Sequence, residues 1–157
     1  MPIPAPWRKL LLAVHITLAV ALVGTDLALL VLGIAGLHAA DPRSVYPAAR
    51  LVGAWVLAPL AVLALITGVV QAVTSRWGLL RYWWVGIKFA IAAVLTALVL
   101  FVLLPALGAA AGGTAEVPDT RRTALAVAPA AAATLLVVSA FLAVYKPRWR
   151  IRPQAGR

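Results

Sequence analysis

Asp26, His15 and Lys88 are ionisable side chains standing deep within long apolar stretches of this 157-residue chain. A carboxyl, an imidazole and an amine can move protons or hold the polar end of a ligand. Each is costly enough inside a bilayer that a function is the first reading to test. Asp26 carries the strongest such reading, because a carboxyl so placed must be neutral, paired or hydrated. As an acid or base in an apolar site it could protonate an alkene, epoxide or carbonyl, chemistry that suits isomerisation or cyclisation of a small hydrophobic molecule without a cofactor. His15, and after it Lys88, would relay protons or bind a polar substrate end.

Other chemistry is excluded by composition. With no Cys, one Met and only His15 and His38, the chain cannot build a thiolate, Met-rich or multi-His metal centre, nor a disulfide. No P-loop, dinucleotide fingerprint or nucleophile elbow occurs. ATP-driven and nicotinamide-dependent functions fall away, and no cofactor is expected.

The elements that must position these groups follow from hydrophobicity. The chain is 64% apolar and 11% charged, with a mean hydropathy of +1.03, far too greasy for a soluble domain of its size. Apolar runs extend over Leu10 to Leu37, Pro47 to Thr74, Tyr82 to Ala111 and Thr120 to Lys146, each longer than the roughly 20 residues that cross a bilayer. The expected fold is all-α: a polytopic membrane protein, one membrane domain, built as an antiparallel bundle of four transmembrane helices. The helices are expected over about 8–37, 47–74, 82–111 and 120–146, followed by a basic tail over 147–157. The connectors are too short to hold a soluble domain and bring sequential helices together as neighbours.

Charge orients the bundle. Arg8, Lys9, Arg76, Arg81, Lys146, Arg148, Arg150, Arg152 and Arg157 lie on one side, against Arg43, Arg50, Arg121 and Arg122 on the other. The positive-inside rule therefore places both termini in the cytoplasm and the protein in the inner, or plasma, membrane. Trp7, Trp77, Tyr82, Trp83, Tyr145 and Trp149 would form an aromatic belt on that face. The net charge of +10 is thus read as serving anionic lipid headgroups, the tail above all, and not nucleic acid. Gly108 and Gly112 have the G-x-x-x-G spacing at the end of the third helix, which leaves an oligomer open.

Counting residues from the cytoplasmic boundary sets depths. His15 lies seven residues beyond Arg8 and Lys88 seven beyond Arg81; on the returning helices Gln71 precedes Arg76 by five and Ser139 precedes Lys146 by seven. At 1.5 Å per residue all four fall in one slab about 7 to 10 Å deep. Thr67, Gln71 and Thr74 form an i, i+4, i+7 stripe that should face the bundle. Asp26 follows His15 by eleven residues, which is about 16 Å further and within about 20° of the same face. Pro59 and Pro129 stand at its level, where freed carbonyls and kinks would admit a cavity open to the outside. Arg50, Arg121 or Arg122 could reach inward to pair with Asp26. Gln71, Thr67, Ser139 and Arg122 are accordingly the expected substrate-binding residues.

Structural readings stand beside these. Lys88 could snorkel to the interface past Trp83 and Trp84, His15 could serve only as a hydrogen-bonding residue between helices, and Gln71, Thr67 and Ser139 could be packing glue. The alternatives to an enzyme or binding protein are a haem- or quinone-linked redox protein acting through His15, and a non-catalytic membrane subunit.

Several stretches resemble a known type of sequence: Leu12-Ala13-Val14-His15-Ile16-Thr17, Pro59-Leu60 with Leu65-Ile66-Thr67-Gly68-Val69-Val70-Gln71, Trp77 through Lys88, and Val144-Tyr145-Lys146-Pro147-Arg148. Together they are similar to uncharacterised four-helix integral membrane proteins of actinobacteria. More remotely, the first-helix His and the Trp-x-x-x-Lys of the third helix resemble HemJ-type membrane protoporphyrinogen oxidases and the copper-resistance protein D group. The resemblance implies functional roles for His15 and Lys88. The chain departs from those relatives in reading Val23-Gly24-Thr25-Asp26 where many carry Gly-Trp, and Val102 ahead of Pro105 where a His is frequent. A second haem ligand and the Met and His partners of copper are therefore missing, while Asp26 is gained.

Overall fold

The computed structural model of the protein describes residues 4–38, 41–74, 83–112 and 117–145, and their regular structure is entirely helical. The first span is α1, Ala5–His38. The second joins α2, Pro42–Val52, through a π turn at Gly53–Leu57 to α3, Ala58–Thr74. The third joins α4, Trp83–Leu98, through a second π turn at Val99–Leu103 to α5, Leu104–Gly112, and α6, Asp119–Tyr145, is the fourth. Each span is long and apolar enough to cross a membrane, so the fold is the expected four-helix polytopic membrane bundle.

Close approaches show how the spans run. A Cβ on Gly36, near the end of α1, would lie 2.9 Å from the Tyr46 hydroxyl near the start of α2, whereas His15, early in α1, lies against Gly68 late in α3. Gly53 meets Leu104 and Leu107 of α5, and Gly33 meets Leu125 and Ala126 of α6. Neighbouring spans are thus antiparallel. α1 packs between the second and fourth spans, as α4 does from the other side, which sets the first and third spans diagonally across the bundle.

The second span begins at Pro42, ahead of the apolar run. Asp41 caps it, its Oδ1 accepting from the Arg43 amide at 3.1 Å, and Pro42 occupies the first turn, where its missing N–H has no cost. Tyr46, expected in a connector, is consequently on the inner face of α2 with Val45 and Ala49, and is among the most buried side chains of the protein.

The core is lopsided. Leu29, Tyr46, Ala49, Leu57, Leu107, Ala110, Val117 and Leu125 form one buried cluster, all in the half that holds His38, Pro42, Gly112 and Asp119. The opposite half, which holds Ala5, Thr74, Trp83 and Tyr145, buries fewer of its described residues, Ala61, Val85 and Thr96 among them. These are called below the connector half and the terminal half. Trp7, Trp83 and Tyr145 are exposed at the terminal end, where an aromatic belt was expected. Arg76, Trp77, Arg81, Tyr82, Trp149 and the basic tail lie outside the described residues.

Candidate functional site

Asp26 is the first residue of α1 to be buried, followed by Leu29, Gly33 and Gly36 on the same face. The spacing of three, four and three residues keeps all four on one helical stripe. The small glycines let α1 press onto its neighbours, and this approach shuts Asp26 in. Its side chain is 3% exposed, and Oδ2 has no hydrogen-bond partner among the described residues. A buried acceptor without a donor is among the rarest features of a folded protein and calls for a ligand, a water or a proton.

The backbone around Asp26 is irregular on three sides. Asp26 lies twelve residues inside the connector end of α1; twelve residues from the same end of the other spans are Ala54, Leu100 and Ala131. Ala54 falls in the first π turn, Leu100 in the second, and Ala131 is two residues from Pro129. The π turns touch each other, and the first touches α1. Both π turns and an internal proline release carbonyls from the helical ladder. Pro129 leaves the Leu125 carbonyl without its usual donor, and that oxygen would be 2.7 Å from a Cβ on Gly33. The layer of Asp26 therefore holds a buried carboxyl between two π turns, and the carbonyl freed by Pro129 lies at the level of Gly33, about 10 Å nearer the connector end.

On the connector side of this layer the packing is closed. Leu29, Gly33, Tyr46, Ala49, Leu103, Leu107, Leu125 and Pro129 surround a void of only about 10 Å³, room for one water at most. Pro129 is buried and Pro59 exposed, so the cavity expected beside the two prolines is replaced by a packed core. Nor, among the described residues, does an arginine bond to the carboxyl of Asp26. Arg122 donates from Nε to the Val117 carbonyl at 3.0 Å and lies within electrostatic reach of Tyr46, at the connector end.

A second cluster lies in the terminal half. His15 Nδ1 and Thr67 Oγ1 are 2.9 Å apart. The Thr67 hydroxyl has one proton and directs it to the Leu63 carbonyl at 2.8 Å, so Nδ1–H is the donor to Oγ1. In the neutral ring Nε2 then keeps its lone pair. Gly68 makes this contact possible, since a Cβ there would meet the ring at 3.1 Å. Four residues further, Gln71 donates from Nε2 to the Leu11 carbonyl at 3.1 Å, fastening α3 to α1 a second time. Lys88, half-buried on α4, acts electrostatically on His15.

The expected site residues thus divide. His15, Thr67, Gln71 and Lys88 gather in one layer, and Asp26 lies along the same stripe of α1, about 16 Å away by helical rise. Ser139 is half-buried on α6 and takes no part in the hydrogen bonds of His15, Thr67 or Gln71, and Arg122 is at the connector end. Thr74 bonds back to the Val70 carbonyl of its own helix. Two buried polar residues had no place in the expectation: Thr96, whose hydroxyl donates to the Ala92 carbonyl, and Tyr46, whose buried hydroxyl has no partner among the described residues. The alternation of Val45, Tyr46 and Ala49 against Arg43, Ser44 and Arg50 was the available signal for Tyr46.

A haem suits this donor set poorly. His15 Nε2 offers one nitrogen, while His38 is 23 residues away along α1, about 34 Å by helical rise, with Nδ1 donating to the Ile34 carbonyl. Among the described residues no group of three or more His, Cys, Asp or Glu gathers as a metal site would require. Comparison with protein-family models, with curated proteins and with solved structures finds no match to this chain.

Proposed function

We propose that the protein binds a small hydrophobic molecule in the terminal half of the bundle and acts on it by proton transfer, with Asp26 as the acid or base. The observation that carries this reading is the carboxyl of Asp26, 3% exposed and with Oδ2 unpartnered among the described residues. An unpaired carboxylate in apolar surroundings is strongly destabilising. Retaining the group there makes sense if a ligand or a transferred proton completes it.

Access from the terminal half is favoured because the connector side is closed by the main buried cluster, whereas the described residues of the terminal side are less fully buried. Between Asp26 and His15 the stripe continues through half-buried Leu22, Ala19 and Leu18, apolar surface suited to a hydrocarbon. The layer of His15, Thr67, Gln71 and Lys88 would hold the polar end of the molecule, with His15 Nε2 as acceptor and Lys88 as cation. Isomerisation or cyclisation is chemistry that a single buried acid can carry out on a hydrocarbon bearing an alkene, epoxide or carbonyl. On the positive-inside argument the terminal half faces the cytoplasm.

The test is solvent extraction and mass spectrometry of the full chain purified in mild detergent, alongside Asp26→Leu and Lys88→Gln. A hydrophobic species enriched with wild type and depleted with both variants supports the reading. Identical extracts from all three would overturn it.

A further inference from the structure

A groove of about 520 Å³ opens on the lipid-facing side of the connector half, lined by Pro47, Arg50, Leu51, Ala54 and Trp55 of the second span and by Ala111 of the third. Its volume is within the range of about 300 to 1,000 Å³ usual for ligand sites. Its cause is visible in the sequence: the last turn of α5 reads Gly108-Ala109-Ala110-Ala111-Gly112. These small residues make a low wall, and a Cβ on Gly108 or Gly112 would meet nothing within 4 Å. The opposite wall is tall and apolar, with Leu51 and Trp55 both exposed.

At the head of the groove stands a cation with nothing to neutralise it. Arg50 is exposed and forms no hydrogen bond or ion pair within the described residues. It sits eight residues inside the start of α2, about 12 Å along the helix axis, within a span of high hydropathy. Arg43, exposed seven residues earlier, is on the same stripe of the helix. A guanidinium in such a place is retained for an anionic partner, and its planar fork matches phosphate oxygens in pairs. Below it, Leu51, Ala54 and Trp55 offer an apolar channel of the kind an acyl chain fills. Trp55, five residues deeper than Arg50 and exposed, supplies a broad apolar ring for the chain to lie against.

We infer that this groove is a binding site for one anionic phospholipid, its phosphate held by Arg50 and one acyl chain lying along Leu51, Ala54 and Trp55. The site is separate from the Asp26 stripe and does not depend on any role for that residue. A bare phosphate would leave the apolar walls unused, and a hydrocarbon alone would leave Arg50 unpaired.

Native mass spectrometry of the full chain in detergent, titrated with phosphatidylglycerol, tests the assignment. Wild type is expected to retain one phosphatidylglycerol per chain, and Arg50→Gln to weaken retention about tenfold or more, the loss of a charge-assisted phosphate contact. Ala54→Phe, which fills the groove with Arg50 in place, should weaken it as well, whereas Arg121→Gln, which removes an exposed cation elsewhere at the connector end, should not. Millimolar inorganic phosphate should leave the lipid bound. Equal retention by wild type and Arg50→Gln would overturn the assignment. So would an equal loss in Arg121→Gln, unaltered binding by Ala54→Phe, or displacement by inorganic phosphate. A thermal melt of each variant confirms that the bundle compared is folded.

Discussion

His15 on α1 and Thr67 on α3 are joined by a hydrogen bond of 2.9 Å whose direction follows from the Thr67 proton being directed to the Leu63 carbonyl. This bond sets the tautomer of the imidazole and leaves the lone pair on Nε2. Thr67→Val keeps the shape and removes the acceptor. Stability should fall by about 0.6 kcal/mol, the average for hydrogen bonds between membrane helices, and by no more than about 1.7 kcal/mol. Nitrogen NMR of labelled His15 should show the Nδ1–H tautomer in wild type and a mixture in the variant. A wild-type spectrum dominated by Nε2–H would refute the assignment.

Of the described glycines, Gly33 is the most closely packed. An added Cβ would lie 2.7 Å from the Leu125 carbonyl and 2.8 Å from the Ala126 Cα, both backbone atoms that cannot swing aside. Gly33→Ala should therefore destabilise the protein by about 1 to 3 kcal/mol, the usual effect of overpacking. Gly24→Ala, with nothing within 4 Å, should be neutral or slightly stabilising through helix propensity. Thermal melts in one detergent compare them, and equal melting temperatures would show that α1 and α6 are less closely packed.

Hydrophobicity and length revealed the four spans because a bilayer allows few alternatives: backbone polar groups must be satisfied within helices or closed barrels. Counting along those helices put His15, Gln71, Lys88 and Ser139 at a common depth, since depth is linear in residue number; the fold bonds His15 to Thr67, on the stripe of Gln71, while Ser139 takes no part in those bonds. Hydrogen-bond direction was beyond such counting; it required the positions of Thr67 and the Leu63 carbonyl together. The closed packing around Pro129 was hidden for a different reason. A proline signals freed carbonyls, and whether a cavity or a close-packed neighbour occupies that space depends on the partner helix, here on Gly33 and Tyr46. The π turns left no mark in composition, so the irregular layer around Asp26 emerged only from the fold.

Orientation can be tested in the natural cysteine-free background. Ser44→Cys, just inside the connector end of α2, should react with an impermeant thiol reagent added to intact cells. Ser75→Cys should react only after the cells are opened, because most basic residues outside the spans flank the terminal side. Labelling of position 75 alone in intact cells would reverse the topology.

The donor set predicts no stoichiometric haem, since one axial nitrogen with no partner in the bundle is a weak site. The visible spectrum of the purified protein should lack a Soret band. A strong band that disappears in His15→Ala would favour the redox reading over proton transfer.

Asp26 decides the account. If its carboxyl serves a ligand at the expense of the fold, Asp26→Leu should melt at or above the wild-type temperature, because an apolar residue removes the desolvation penalty of the buried acid. The same variant should lose the hydrophobic molecule that co-purifies with wild type. Once that molecule is identified and its conversion assayed, Asp26→Asn should remain folded and lower turnover by about two orders of magnitude or more, as expected for removal of a general acid or base. The most direct single measurement is the turnover of folded Asp26→Asn against wild type on the extracted molecule. A loss of that size is the expected result, and wild-type turnover would contradict proton transfer by Asp26.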